Sequence, residues 1–163
     1  MRFKYCPECS AKLILKQCGD DADVPFCENC NRPHFPHSSP CVIVLPVSEM
    51  GEFALTRQSY GDTERYVLTA GFMKENESAE DCCKREVLEE LGLETTELMY
   101  VKSYPYAKRD NLMLGFVAKV IKKDFDFSEE VRDAKWVNCE EAEKLLENSL
   151  IALKLLRDFK NKY

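Results

Sequence analysis

The chain has 163 residues, with 29 Asp and Glu against 23 Lys and Arg, a net charge of −6 and 45% hydrophobic residues. That is enough chain for one packed domain or one domain plus a small module. The acidic balance argues against a duplex nucleic-acid binder with a broad basic face. No stretch reaches the roughly eighteen consecutive apolar residues of a membrane span. The opening MRFKYCPECS has no apolar core of a secretory signal, so a cytoplasmic protein is expected.

From the N-terminus, Cys6-Pro-Glu-Cys9 and Cys27-Glu-Asn-Cys30 form two CxxC pairs separated by 17 residues. Each pair can set two thiolates on one tight turn, and two such turns complete a tetrahedral Zn2+ site. Disulfides need an oxidising compartment. A thioredoxin-like motif would need a CxxC opening a helix in a βαβ unit. Structural zinc is therefore the expectation, and four thiolates leave that ion no catalytic position. Cys18, Cys41, Cys82, Cys83 and Cys139 show no ligand spacing and read as small apolar residues or, for Cys18, a chance thiol. His34 and His37 read as loop residues without a metal role. Residues 1–38 are expected to form a zinc ribbon ending in a Pro-punctuated linker over 32–40, with a second domain over 39–163.

Cys41–Val47 is β-branched and apolar, and Met50-Gly51 turns it into a second strand at Phe53–Arg57. Tyr66–Thr69 reads as a third strand. Leu98–Tyr104, Asn111–Ile121 and Ala134–Val137 read as later ones, and Glu140–Glu147 and Ser149–Lys160 as amphipathic helices. Interleaved strands and helices imply an α/β sandwich with a mixed sheet.

Between these elements, Ala79–Leu91 lacks Gly and Pro, is rich in Glu, Lys and Leu, and follows Ser78, which can cap a helix with Asp81 three residues on. On that helix Glu86, Glu89 and Glu90 lie on neighbouring ridges, while Ala79, Cys83, Val87 and Leu91 make a separate apolar stripe. Like charges so close call for cations between them. Mg2+ or Mn2+, hard ions that prefer carboxylate and phosphate oxygen, would serve.

Gly71, Glu77, Arg85, Glu86, Glu89, Glu90 and Gly92, with aliphatic Val87 and Leu93, fit G-x5-E-x7-R-E-U-x-E-E-x-G-U at every fixed position. The segment resembles the Nudix box of hydrolases that cut pyrophosphates linked to a nucleoside or similar group. With the four-cysteine ribbon in front, the chain resembles the zinc-containing NADH pyrophosphatases. That resemblance implies an α/β/α Nudix sandwich with a mixed sheet preceded by a small zinc ribbon. Leu68-Thr-Ala-Gly-Phe72 introduces the box in the same way. The family array S-Q-P-W-P-F-P-x-S-L-M corresponds to residues 103–113, where this chain keeps Ser103, Pro105, aromatic Tyr106, Leu112 and Met113. It replaces P-F-P-x-S by Ala107-Lys108-Arg109-Asp110-Asn111.

Residue by residue, the resemblance implies Mg2+ or Mn2+ ligands at Glu86, Glu90, the Ala70 carbonyl and Glu130, with Glu129 as the alternative if the register slips. Glu130-Val-Arg-Asp-Ala-Lys-Trp136 carries the last of these. Glu89 is the candidate for orienting or deprotonating water, and Arg85 and Glu77 would brace the loop and helix. Phe35, Phe72, Ser103, Tyr104, Pro105 and Tyr106 correspond to substrate-binding positions. The expected substrate is a nucleoside diphosphate derivative, NAD(H)-like dinucleotides first, with ADP-ribose or NAD-capped RNA as alternatives. Relatives are commonly homodimers, so a homodimer is among the states to expect. The rival from another class is a non-catalytic nucleotide sensor or an RNA-binding module using the ribbon. Against it, no box glutamate is lost, and the ribbon sets Lys4, Lys12 and Lys16 against Glu8, Asp20, Asp21, Asp23 and Glu28.

Overall fold

A computed structural model describes residues 4–162 and divides into two compact units, one ending at Ser38 and the other beginning at Ser39. In the first unit, β1 (Ile14–Cys18), β2 (Asp21–Cys27) and β3 (Arg32–Pro33) form an antiparallel sheet in the order β1-β2-β3. Its buried cluster is Cys6, Leu13 and Cys27, with Cys9, Ala11 and Cys30 packed against it. So small an apolar centre offers little hydrophobic stabilisation, and the cysteines themselves are most of it. The linker expected over 32–40 is shorter than that. Arg32 and Pro33 pair with Cys27 and Phe26, the His34 N–H donates to the Pro25 carbonyl, and Ser39 and Pro40 already belong to the next strand.

The second unit is built on β4 (Ser39–Ser48), whose run Cys41–Pro46 is buried throughout. That is the signature of a strand covered on both faces. Its neighbours are β5 (Phe53–Gln58), β6 (Tyr66–Val67), β7 (Thr69–Phe72), β8 (Thr95–Tyr106), β9 (Asn111–Val120) and β10 (Val131–Val137). The sheet runs β10-β5-β4-β9-β8, with β6 on β5 and β7 on β4. β4 and β9 are parallel over ten residues and the other pairs are antiparallel. The single strand expected over Tyr66–Thr69 is two strands, because at buried Leu68 the chain leaves β5 and begins to pair with β4.

Helix α1 (Ala79–Leu91) packs with Val42, Val44, Ala54, Phe116 and Ala118 on one face of the sheet. Helices α2 (Cys139–Leu145) and α3 (Leu150–Lys162) pack with Ile43, Leu45, Phe53 and Leu55 on the other. Alternate residues of β4 thus feed opposite layers, as the two-residue period of a strand requires. The architecture is the α/β/α sandwich with a mixed sheet expected from the sequence. Among the described residues no helix is long and apolar enough to cross a membrane.

Candidate active site

Local chemistry fixes both ends of α1. The Ser78 hydroxyl accepts the Asp81 N–H at 3.1 Å and donates to the Asp81 carboxylate at 2.7 Å. Gly92 ends the helix at φ 69°, with its N–H on the Leu88 carbonyl. A side chain there would also meet the backbone of Asp126, so glycine is required twice over.

Arg85 organises the loop before the helix. Its Nε and Nη2 grip the two oxygens of Glu77 at 2.7 and 3.0 Å, Nη2 also reaches the Phe72 carbonyl, and Nη1 donates to Glu86 at 2.6 Å and Glu89 at 2.9 Å. The bidentate pair is the strong form of such contacts. It draws Glu77 down to about 2, the Arg85 hydrogen bonds first and the Lys74 N–H second. Gly71 meets the end of Glu86. A Cβ at residue 71 would collide with that carboxyl, which is why the loop carries glycine where it crosses the helix.

Glu90 is the unusual acid. It is 6% exposed on α1, beside buried Val87 and Leu91. Burial pushes its carboxyl up to about 8; the charges of Glu86 and Glu130 add to the rise, while Thr69 and Ala70 oppose it. Glu90 therefore sits against the end of β7, within the field of two further carboxylates. The Thr69 hydroxyl is buried beside it. Glu130 lies just before β10, and its carbonyl accepts the Ser59 N–H at 2.8 Å, while the Glu129 carbonyl accepts the Ser59 hydroxyl. The charge of Glu130 helps to raise the Glu90 carboxyl. Glu89 is half exposed and faces Arg85 and Lys74, the latter at 3.8 Å.

The expected substrate-binding residues divide. Strand alternation sends Ser103 and Tyr104 to opposite faces of β8. The Ser103 hydroxyl bonds the Tyr100 hydroxyl at 2.6 Å, and the Tyr100 ring packs edge-on against Phe116 in the α1 layer. Tyr104 is 5% exposed in the opposite core, donates to Asp158 on α3 and packs over Gly115. Its ring and hydroxyl are thus engaged in that core. Tyr106, two residues on, lines a cavity of about 290 Å³ between the sheet and the start of α3, together with Ala70 and Lys108. Pro105 is exposed at the end of the same strand. Phe72 is 59% exposed next to Gly71, and Phe35, in the first unit, is 50% exposed.

Two residues near these groups carried no sequence signal. Tyr60, on the loop after β5, is 56% exposed. Its hydroxyl is raised by burial first, then by Glu130, Glu90 and Glu86, and is lowered by Arg109. The charges of these three acids reach it, and its neighbour Ser59 bonds the Glu129 and Glu130 carbonyls. Arg65 lines the cavity and donates from Nε to Ser149 at 2.8 Å.

In the first unit, the ligand atoms of Cys6, Cys9, Cys27 and Cys30 all lie within 4.8 Å of one another. Among the described residues no other group of three or more side-chain donors is so tightly drawn together; the box carboxylates stand further apart. Each CxxC turn ends on a residue of positive φ, Ser10 at 60° and Asn31 at 54°, which curls the backbone around the sulfurs. The Cys9 thiol is drawn down to about 6, by the Asn29 side chain first, and the Cys30 thiol is pushed up, by its hydrogen bond to Cys9 and then by burial. His34 Nε2 lies 3.4 Å from the Cys6 sulfur.

Comparison with known proteins fits this geometry. The NUDIX domain model matches residues 37–159. The chain is 31% identical over 156 residues, 93% of its length, to an NAD-capped RNA hydrolase NudC of Photobacterium profundum, and covers 56% of that protein. It is 32% identical over 160 residues, 94% of its length, to that of Pseudomonas aeruginosa, again covering 56%. The chain thus spans a little over half the length of the curated relatives it matches. Among solved structures, a NUDIX hydrolase from Nitrosomonas europaea aligns at TM-score 0.71 and 25% identity, over 85% of this chain and 80% of that one. An intact box, its helix and loop braced by Arg85, and a domain match over most of the chain lead to one conclusion: this chain belongs to the Nudix family.

Proposed function

We propose that the chain is a divalent-metal-dependent pyrophosphohydrolase acting on nucleoside diphosphate derivatives, NAD(H)-like dinucleotides first. The observation that carries this reading is the complete set of box glutamates, three of them on α1, with Glu90 buried against Ala70 in the field of Glu86 and Glu130. Carboxylates so placed fit a hard cation. Glu86, Glu90, Glu130 and the Ala70 carbonyl would hold Mg2+ or Mn2+. When bound, such ions offset diphosphate charge and acidify water.

The chain's own groups supply the rest. Glu89, exposed on the same helix, orients or deprotonates the attacking water. Arg85 keeps Glu86 and Glu89 in place and ties them to Glu77 and the Phe72 carbonyl. Tyr106 and Phe72 offer aromatic surface to a base. Water adds at one phosphorus, the bridging oxygen leaves with the other, and two monophosphates result.

Cys6, Cys9, Cys27 and Cys30 would hold a structural Zn2+, with His34 supporting the Cys6 sulfur. The names of the curated relatives favour NAD-linked pyrophosphates. NAD-capped RNA is the second reading on the same ground. The test is a panel of NADH, NAD+, ADP-ribose and NAD-capped RNA at fixed Mg2+ and Mn2+, with products resolved by chromatography. Turnover of none of them would refute the enzymatic reading and favour a nucleotide sensor.

A further inference from the structure

The cavity beside Ala70 has a charge pattern opposite to that of the chain around it. Acids outnumber bases 29 to 23 in the sequence. Yet the cavity wall contains Arg65 and Lys108 and no Asp or Glu. Elsewhere in this unit the cations are mostly spoken for: Arg57 and Arg132 by Asp133 and Glu64, Lys122 by Glu52, Lys135 by Glu141 and Lys160 by Glu143. Among the described residues no carboxylate pairs with Arg65 or Lys108. Arg65 is nevertheless held, its Nε donating to Ser149, whose hydroxyl in turn donates to the Tyr66 carbonyl. That contact holds the guanidinium through Nε, and among the described residues Nη1 and Nη2 have no hydrogen-bond partner. Gln58 and Asn148 add neutral hydrogen-bonding groups to the same wall.

A cavity with two cations, no acid and amide groups at hand suits a dianion. We propose that it is a subsite for a phosphomonoester carried by the substrate in addition to its diphosphate, gripped by Arg65 and Lys108. The substrate class is then a dinucleotide phosphorylated on a ribose, in preference to its unphosphorylated counterpart. This rests on the pyrophosphohydrolase reading, since Ala70 belongs both to the cavity wall and to the proposed metal site. At about 290 Å³ the cavity is at the small end of ligand pockets, with room for a ribose phosphate and not for a run of nucleotides. A polynucleotide phosphodiester, a monoanion, matches two cations less well than a phosphomonoester does.

Two arms test it. Binding of adenosine 2′,5′-bisphosphate and of AMP is measured by calorimetry, with no turnover involved. Hydrolysis of NADPH, NADH and NAD-capped RNA is measured as kcat/KM. The bisphosphate is expected to bind at least about tenfold tighter than AMP, and NADPH to exceed NADH by a similar factor. In Lys108→Ala, an exposed substitution that the fold tolerates, both ratios fall several-fold, and in Arg65→Gln they fall further. Equal binding of the two nucleotides, or ratios unmoved in both variants, overturns the subsite. Capped RNA outrunning NADPH by a margin that the variants abolish also overturns it, in favour of a chain phosphate. Discrimination in binding with no hydrolysis of any substrate sinks the hydrolase reading and leaves the subsite standing. Hydrolysis without discrimination does the reverse.

Discussion

Replacing Glu90 by Gln separates chemistry from stability, because the two effects have opposite signs. In the folded chain without divalent ions, burial and the like charges of Glu86 and Glu130 raise this carboxyl from 4.5 to about 8. Between those values the folded state holds a proton that the unfolded state has released. Stability therefore falls as pH rises through that window. At about 1.4 kcal/mol per pH unit the full effect is about 5 kcal/mol, and relaxation with water entry reduces it to roughly 2–4 kcal/mol. Gln has the same shape and no charge to bury. In Mg2+- and Mn2+-free buffer, urea unfolding of the wild type should lose that amount between pH 5.5 and 8.5 relative to Glu90→Gln. Adding Mg2+ or Mn2+ at pH 8.5 should restore the wild type and leave the variant unchanged. Hydrolysis in the variant should drop by at least about 100-fold, or 2.7 kcal/mol in the barrier. Parallel pH curves for the two proteins, or near wild-type turnover at saturating Mg2+, would refute the reasoning.

Three further expectations are open to simple assays. Gly71→Ala places a methyl group on the flexible end of Glu86, so activity should fall at least tenfold while unfolding free energy changes by less than about 1 kcal/mol; a variant that unfolds but stays active per folded molecule contradicts this. The purified protein should contain about one zinc per chain, and Cys27→Ser should release it and loosen the first unit, whose buried centre is largely cysteine. Wild-type zinc content in that variant, by elemental analysis, means the tetrad is wrongly assigned. Because Ala107, Lys108 and Arg109 stand where the NADH-preferring array has Pro-Phe-Pro, the loop is less rigid and more cationic. Discrimination between NADH and ADP-ribose in kcat/KM should therefore be small, and an NADH preference of about 100-fold would show that Ser103 and Tyr106 suffice.

The sequence by itself determined what is local. A helix from Ala79 to Leu91 with a Ser78 cap and a Gly92 stop follows from composition and from contacts within four residues. So does the placing of Glu86, Glu89 and Glu90 on one helix, and two CxxC turns are each complete within a few residues. Strand existence was legible from apolar β-branched runs, and the α/β/α layering from their alternation with helices. What only the tertiary structure decided depends on partners far apart in the chain. Glu90 is buried and Glu89 exposed, although they are adjacent, because Glu90 falls on the flank of α1 that meets Thr69 and Ala70 of β7. The array at 103–106 is split between two faces of β8, and α3 claims Tyr104 through Asp158. The charges of the carboxylates reach Tyr60, and its neighbour Ser59 bonds residues 129 and 130, seventy positions away. The cavity exists because Arg65, just before β6, and Lys108, just after β8, share no local pattern yet are brought to one wall beside the start of α3. Periodicity reports which side of an element faces inward; it carries no information about which other element is waiting there, and the charge of this cavity is set by that second fact.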